Sequence, residues 1–241
     1  MNKSKSQTPK PVLFLDFDGT ITRRDVVDVI LETYADAEWL TLEEAWRAGH
    51  IGSRDCLKTQ MSLVRATRRQ LDALLDEIEI DSGLVPLLEL CSNHDIQTHI
   101  LSDGFEYCIR RILARTGTTA SALLQQGRIC AGRLEPRGRL WHTEFPYFHQ
   151  ACSHGCATCK PALMRLLNPT SAPAFFVGDG LSDRYAVESA DFVFAKNQLA
   201  EYCREQAIKY TSYSDLAEVA AHIDSWLACE MFTLEEKRRS A

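Results

Sequence analysis

Two aspartates directly after a short apolar stretch are the residues of this chain best suited to chemistry. The run Asp16-Phe17-Asp18-Gly19-Thr20 follows four apolar residues, as expected for a buried strand that ends at an active site. Because side chains alternate along a strand, Asp16 and Asp18 point to the same side, with Cα atoms about 6–7 Å apart. A phosphate group or a divalent cation fits between two such carboxylates. The competing interpretation is an acidic turn, since Asp-Gly is a common turn signal.

Polar residues also follow two later predicted strands and open one helix. They are Ser102, Asp103 and Gly104 after the stretch 96–101, Asp179 and Asp183 after the stretch 174–177, and Lys160 at the helix before 174–177. In a parallel sheet, ligands bind beyond the carboxyl ends of the strands. We therefore expect these polar groups to lie near Asp16 and Asp18, which favours an active site over a turn.

Alternating strands and helices predict an α/β fold, a doubly wound and mainly parallel sheet with an inserted helical cap. The predicted organisation is a flexible tail at 1–10, core at 11–21, a helical cap at 22–81, core at 82–232 with a β-hairpin near 128–148, and a frayed tail at 233–241.

Periodicity predicts the individual elements. Strands are expected at 12–16, 96–101, 174–177, 191–195 and 208–210, and hairpin arms at 128–134 and 139–145 around a turn at 135–138. Helices are expected at 25–34, 53–64, 84–91, 105–115 and 162–167, from 183 to 189, at 199–206 and from 214 onward. Two capping boxes are predicted, Thr41 with Glu44 and Thr67 with Gln70.

Composition limits the classes of partner. The net charge of −6 argues against a nucleic-acid surface, and the chain lacks an apolar stretch long enough to span a membrane. The first seven residues lack the apolar core of a signal peptide, and nine cysteines then indicate reduced thiols in a cytoplasmic protein. The charge favours a small-molecule or protein partner instead, and a homodimer stays an open alternative.

The motifs resemble those of the haloacid dehalogenase superfamily of phosphotransferases. The resemblance rests on Asp-x-Asp-Gly-Thr at 16–20, Gly-Asp-Gly-x-Ser-Asp at 178–183 and a lysine about twenty residues before the second motif. It implies a Mg²⁺-dependent phosphatase whose partner is a small phosphorylated metabolite, and in which Asp16 attacks phosphorus and carries an aspartyl-phosphate. It also implies that Asp18 protonates the leaving oxygen and then activates water.

The same resemblance implies the remaining roles at the site. Mg²⁺ would be held by Asp16, by the backbone carbonyl of Asp18 and by Asp179, with Asp183 acting through a water or orienting its neighbours. Phosphate would contact Ser102, Asp103, the amide of Gly104 and Gly19, and Lys160 would neutralise its charge. Thr20 is expected to brace the loop.

The helical insertion resembles the cap of the phosphoserine phosphatase branch, a lid that excludes water and selects substrate. The charged residues that could contact substrate there are Arg23, Arg24, Asp25, Arg54 and Lys58, of which Arg23 and Arg24 are closest to the nucleophile. For each of them, an ordinary solvated helix face is the competing interpretation.

A cysteine segment precedes Lys160. Cys152, Cys156 and Cys159 occur with His149 and His154, which suits zinc, although a second pair of closely spaced cysteines is missing. Packed thiols whose oxidation would inhibit the enzyme are the alternative. The element Gly-Cys-x-x-Cys-Lys resembles phosphatases of methionine salvage that act on 2-hydroxy-3-keto-5-methylthiopentenyl 1-phosphate, and also phosphoethanolamine/phosphocholine phosphatases.

Three alternatives therefore stay open beside the methionine-salvage phosphatase. One is a phosphatase of phosphoserine or of phosphoethanolamine and phosphocholine. Another is a phosphomutase, which would use a second hydroxyl instead of water as the acceptor. The third is a regulatory protein that binds a metal or a partner through Cys152, Cys156 and Cys159.

Overall fold

The computed structural model describes residues 10–117 and 129–239, in which seven strands form one sheet. The strands are β1 (Val12–Leu15), β2 (Gln97–Phe105), β3 (Ile129–Arg137), β4 (Leu140–Glu144), β5 (Ala174–Gly178), β6 (Phe192–Ala195) and β7 (Thr211–Ser212). Their order is β4-β3-β2-β1-β5-β6-β7, and every pairing is parallel except that of β3 with β4. The predicted α/β class is confirmed.

Nine α-helices lie within the described ranges. They are α1 (Val26–Tyr34), α2 (Trp39–Arg47), α3 (Ser53–Leu63), α4 (Arg68–Asp76), α5 (Leu84–Asn93), α6 (Glu106–Leu113), α7 (Lys160–Leu167), α8 (Asn197–Glu205) and α9 (Leu216–Arg239). None of these nine has the combination of length and apolar composition that crossing a bilayer requires.

The alternation of side chains along β1 builds a core on each face of the sheet. Leu13 and Leu15 pack on one face, in the hydrophobic cluster that also contains residues of α5, α6 and α9. Phe14 points to the other face and packs in the cluster that contains residues of α7 and α8. All three side chains are fully buried, so β1 is a central strand whose end is held rigidly.

Helices α1–α4 are inserted between β1 and α5. The two chain segments that lead into and out of the insertion run side by side, with a bridge between Thr22 and Ile80. The amide of Arg23 donates to the carbonyl of Glu79 at 3.0 Å, and the amide of Asp81 donates to the carbonyl of Ile21 at 2.8 Å. The insertion therefore leaves and rejoins the core at one place, directly after the Asp16–Thr20 segment.

Of the two predicted capping boxes, one is confirmed and one is wrong. Thr67 caps α4, and its side chain and that of Gln70 exchange bonds with each other's backbone amides. Thr41 is not an N-cap, because α2 already begins at Trp39 and contains Thr41 in its first turn. The sequence signal is the same at both places, so tertiary packing of the residues before Thr41 decides where α2 starts.

Five predicted elements differ from the structure. The strand expected at 96–101 extends to Phe105 as β2 and contains residues 102–104, which were expected to follow it. In this described part of the chain, residues 183–189 form 3₁₀ turns at Leu181–Asp183 and Val187–Ser189 instead of an α-helix. The strand expected at 208–210 lies at Thr211–Ser212. The hairpin turns at Gly138, whose φ of 68° suits glycine, so 135–137 belong to β3. Helical backbone reaches Arg239, through most of the tail predicted at 233–241.

Physical causes are visible for two of these differences. The Asp183 carboxylate accepts hydrogen bonds from the amides of Asp179 and Gly180, which tightens the chain into a 3₁₀ turn. Pro136 lies opposite Trp141 in the antiparallel ladder, where a proline is tolerated because the hairpin forms the edge of the sheet. Of the tail predicted at 1–10, residues 1–9 lie outside the described residues.

The two threonines allow a matched test of capping. Thr67→Ala removes an N-cap acceptor, so we expect the free energy of unfolding to fall by about 1 kcal/mol. Thr41→Ala replaces a residue inside a helix by a better helix former and should cause no loss. Urea denaturation of both variants measures the difference. Equal losses for the two variants would contradict the assigned start of α2.

Candidate active site

A buried lysine lies between two buried carboxylates at the carboxyl end of β1. The ammonium of Lys160 donates to Asp16 Oδ1 at 2.6 Å and to Asp183 Oδ1 at 2.5 Å. All three side chains are at most 5% exposed. Burial disfavours the ammonium, but the charges of Asp16 and Asp183 outweigh that effect and raise the pKa of Lys160. The lysine is therefore a fixed positive charge beside Asp16.

Asp16, Asp179 and Asp183 form a group of carboxylates with one oxygen of each within 4.8 Å of the others. Burial and the charge of Asp183 raise the pKa of Asp16 well above its usual value. The same two causes raise the pKa of Asp179 to about 6. Lys160 offsets only part of this negative charge, so the group has the oxygen donors and the excess charge that suit a divalent cation.

Asp18 is held by two donors next to this group. Its Oδ2 accepts from the hydroxyl of Ser102 at 2.9 Å, and its Oδ1 accepts from the amide of Val26 at 3.1 Å. Burial, followed by the charge of Asp25, raises the pKa of Asp18 to about 8, against the opposing effect of these hydrogen bonds. This carboxyl group can therefore hold a proton at neutral pH.

Ser102 and Gly104 complete this corner of the site at the end of β2. The amide of Gly104 donates to Ser102 Oγ at 2.9 Å. A Cβ atom on residue 104 would lie 2.5 Å from Asp18 Oδ2, so only glycine allows this approach. At Gly19, φ is +74° and a Cβ atom would lie 2.4 Å from Asp179 Oδ2. The backbone of both glycines thus lies directly against the carboxylates.

Asp103 connects three parts of the chain. Its Oδ2 accepts from the hydroxyl of Ser53 in α3 at 2.5 Å, and its Oδ1 accepts from the amide of Thr158 at 2.9 Å. Ser53 Oγ in turn accepts from the amide of Ala157 at 3.0 Å. The sequence placed Asp103 among the phosphate contacts, whereas in the structure both of its oxygens already hold the inserted helices and the segment before α7.

A cavity of about 310 Å³ opens over Asp16 and Asp18, between the sheet and helices α1–α3. Arg23, Arg24 and Asp25, three of the residues expected to contact substrate, line this cavity. The other two predicted cap residues are placed elsewhere. The guanidinium of Arg54 lies 4.9 Å from the ring centre of Phe148, and Lys58 is exposed.

Sequence reasoning missed several residues that line the cavity. The main ones are Asp28 of α1, Glu43, Trp46 and Arg47 of α2, and Cys56, Leu57 and Gln60 of α3. Burial, Asp25 and Glu43 raise the pKa of Asp28 to about 7. The spacing of Glu43, Trp46 and Arg47 places them on one face of α2, which was the available signal. Nothing in the sequence indicates that this face turns toward Asp16.

Comparison with known proteins now identifies the family. Residues 13–188 match the haloacid dehalogenase-like hydrolases. The chain belongs to this family. It is 25% identical over 235 residues to the 2-hydroxy-3-keto-5-methylthiopentenyl-1-phosphate phosphatase of Bacillus pumilus, covering 96% of this chain and 98% of that one. The protein of the same name from Brevibacillus brevis is 26% identical over 87% of this chain and 93% of its own length.

Solved structures share the fold. A phosphoserine phosphatase in a phospho-aspartyl intermediate analogue state superimposes with a TM-score of 0.66 at 17% identity, over 90% of this chain and 99% of that one. Phosphoserine phosphatase from T. onnurineus gives a TM-score of 0.65 at 15% identity, over 92% and 98%. The predicted family is confirmed, and family and relatives together support a phosphoric monoester hydrolase.

The connecting position of Asp103 leads to a stability prediction. Asp103→Ala leaves the hydroxyl of Ser53 and the amide of Thr158 without their acceptor, so the free energy of unfolding should fall by roughly 2 kcal/mol or more. Asp103→Asn keeps one acceptor oxygen for Thr158 and should lose less than about 1 kcal/mol. Chemical denaturation of the two variants measures this difference. An Asp103→Ala protein as stable as the wild type would contradict the assigned role.

Proposed function

We propose that this chain is a Mg²⁺-dependent phosphatase that hydrolyses 2-hydroxy-3-keto-5-methylthiopentenyl 1-phosphate through an aspartyl-phosphate on Asp16. The single observation that carries the proposal is the Asp16 carboxylate at the floor of the cavity, bonded to Lys160 at 2.6 Å. The charge of Lys160 lowers the pKa of Asp16 against the effect of burial, and a bound cation would lower it further, so Asp16 would be ionised for attack on phosphorus. The ammonium would also stabilise the negative charge that develops on the phosphoryl oxygens.

Asp18 is placed to move protons. At neutral pH its raised pKa, about 8, keeps the carboxyl group protonated, so it can donate a proton to the leaving oxygen. The resulting carboxylate can then take a proton from the water that hydrolyses the aspartyl-phosphate. The hydroxyl of Ser102, which donates to Asp18 at 2.9 Å, holds the carboxyl group in position for both steps.

The donor set fits Mg²⁺. Carboxylate oxygens of Asp16, Asp179 and Asp183 lie within 4.8 Å of one another, and these hard ligands match the preference of Mg²⁺ for oxygen. When bound, the ion would offset the repulsion between the phosphate and the carboxylates. Thr20 Oγ1 and Asn197 Nδ2 donate to the two oxygens of Asp179 at 3.2 and 3.3 Å and hold that carboxylate in place.

The substrate assignment rests on the relatives and on the wall of the cavity. The relatives from Bacillus pumilus and Brevibacillus brevis are named for the methylthio ketose ester. In this chain, the apolar side chains of Val27, Trp46 and Leu57 line the cavity above Asp16. An apolar wall of this kind suits the methylthio end of such an ester.

A panel of phosphate esters tests the proposed function. We expect Mg²⁺-dependent release of inorganic phosphate, with the highest kcat/KM for the methylthio ketose ester. Asp16→Asn should lower the rate by at least roughly 10³-fold, because the amide is not a nucleophile. Asp95→Asn, which changes an exposed carboxylate paired with Lys10, is the control and should leave the rate unchanged. Transfer of phosphate to a second hydroxyl without release would instead indicate a phosphomutase.

A second candidate is an ester that carries an amine, such as phosphoserine or phosphoethanolamine. The observation in its favour is the acidic group formed by Asp25, Asp28 and Glu43 in the cavity, which can bind an ammonium beside Trp46. Asp28→Asn separates the candidates in the same panel. It should raise KM for the amine esters and leave KM for the methylthio ester unchanged. If the wild type and this variant both prefer the methylthio ester, the first assignment is supported.

The protonation state of Asp18 predicts a pH profile. Its pKa is raised, so the proton needed by the leaving oxygen is present below pH 8 and is lost as the pH rises through about 8. We expect kcat/KM of the wild type to fall above this pH. The Asp18→Asn variant should be inactive both below and above pH 8. Steady-state kinetics at constant Mg²⁺ measures the profile. A rate that is independent of pH between 7 and 10 would contradict the acid role.

A further inference from the structure

A cluster of thiols and an imidazole lies outside the catalytic groups. Residues 145–159, all of them described, form turns and irregular backbone between β4 and α7. Within this loop, the ligand atoms of Cys152, His154 and Cys156 lie within 4.8 Å of one another. The proposed hydrolysis uses none of these side chains. A loop of this length without regular structure usually has a function or an internal support.

Cys159 is the candidate for a fourth donor. Its thiol interacts with that of Cys152 but lies outside the group of three, so it has to move toward the group to coordinate an ion held there. Zn–S bonds of about 2.3 Å at tetrahedral angles place two sulfur atoms about 3.8 Å apart, and the thiols of Cys152 and Cys156, within 4.8 Å of each other, are close to that spacing. Three cysteines and one histidine are a donor set of closed, structural zinc sites.

The surroundings of two donors also suit a metal. The backbone N–H groups of Cys156 and His154 interact with the sulfur of Cys152, which places positive ends of dipoles beside it. The imidazole of His154 stacks on Tyr185, with 3.7 Å between ring centres and an angle of 19° between the planes. This stacking fixes the orientation of the ring.

We propose that Cys152, His154, Cys156 and Cys159 bind one structural Zn²⁺ ion that holds the loop between β4 and α7 at the edge of the active site. On binding, the three thiols lose their protons to solvent and the histidine coordinates in its neutral form. The four protein donors fill the tetrahedral shell, so the ion takes no part in the hydrolysis.

The loop contacts residues of the active site and of the inserted helices, so an ion that orders the loop would also order those contacts. Lys160 follows Cys159 directly, and its ammonium is the charge bonded to Asp16. The amide of Thr158 donates to Asp103, and the amide of Arg54 in α3 donates to the carbonyl of Gly155 at 3.1 Å. An ion in the loop would therefore hold two features in place: the first residue of α7, which is Lys160, and the contact between the loop and the inserted helices.

The main competitor is a disulfide within the same cluster. Three thiols leave one cysteine without a partner when a bridge forms, and a disulfide gives no role to His154. A zinc site uses all four donors. Within the described ranges, the cysteines are reduced and none is joined in a disulfide. These observations favour the metal, and the disulfide becomes one outcome of the test.

Metal analysis of the full chain tests the proposal. Protein purified under reducing conditions, without chelator and with Mg²⁺ present, should contain about one zinc ion per chain. The double variant Cys152→Ser/Cys156→Ser should lose the zinc, whereas Cys229→Ser, which changes an exposed cysteine of α9, should keep it. Zinc retained by the double variant but lost from Asp179→Asn would place the ion at the acidic group and overturn the proposal.

A second measurement uses the wild-type chain and does not depend on the folding of a variant. Co²⁺ added to metal-free protein should give the sulfur-to-cobalt charge-transfer absorption of a thiolate site, and Zn²⁺ should abolish it. A zinc-selective chelator, with Mg²⁺ in excess, should lower the Tm of the zinc-loaded protein. Protein that gives no thiolate–cobalt absorption, or peptide mapping that shows a Cys152–Cys156 or Cys152–Cys159 disulfide in place of metal, would overturn the proposal.

Discussion

The buried ammonium of Lys160 between Asp16 and Asp183 is the interaction on which the site depends. None of the three charges would be stable alone in the interior, because an unpaired buried ion costs several kcal/mol. Each partner is therefore fixed by a different element: Asp16 by β1, Asp183 by the turn after β5, and Lys160 by α7. The fold brings these three side chains to one edge of the sheet, and the attraction between their charges then holds them within hydrogen-bonding distance.

The surrounding backbone is adapted to this arrangement. Asp183 accepts amide hydrogen bonds from Asp179 and Gly180, so the turn that carries it is closed by its own side chain. A Cβ atom on Gly178 would lie 2.4 Å from Asp183 Oδ2, which restricts that position to glycine. Similar close approaches at Gly19 and Gly104 bring the backbone against Asp179 and Asp18. The carboxylates are thus packed against chain atoms from three strand ends.

The sequence predicted the core of this arrangement because its signals are local. Asp16, Asp18 and Asp179 each follow an apolar strand directly, and the rule that parallel strands end at one edge was enough to bring them together. The role of Asp103 and the cavity face of α2 could not be predicted in this way. They depend on how the inserted helices sit on the sheet, which is a tertiary property. Thr41 and Thr67 illustrate the same limit, since one local pattern has two outcomes.

The hydrophobic cluster on one face of the sheet continues without a break into the inserted helices. It contains Ile30 of α1, Met61 of α3 and Leu71 of α4 together with Leu13 of β1 and Phe105 of β2. The insertion and the sheet consequently share one core, and separating them would expose apolar surface on both sides. The two parts are expected to unfold in a single cooperative transition, and the cavity between them is expected to open only by small displacements that leave this shared core intact.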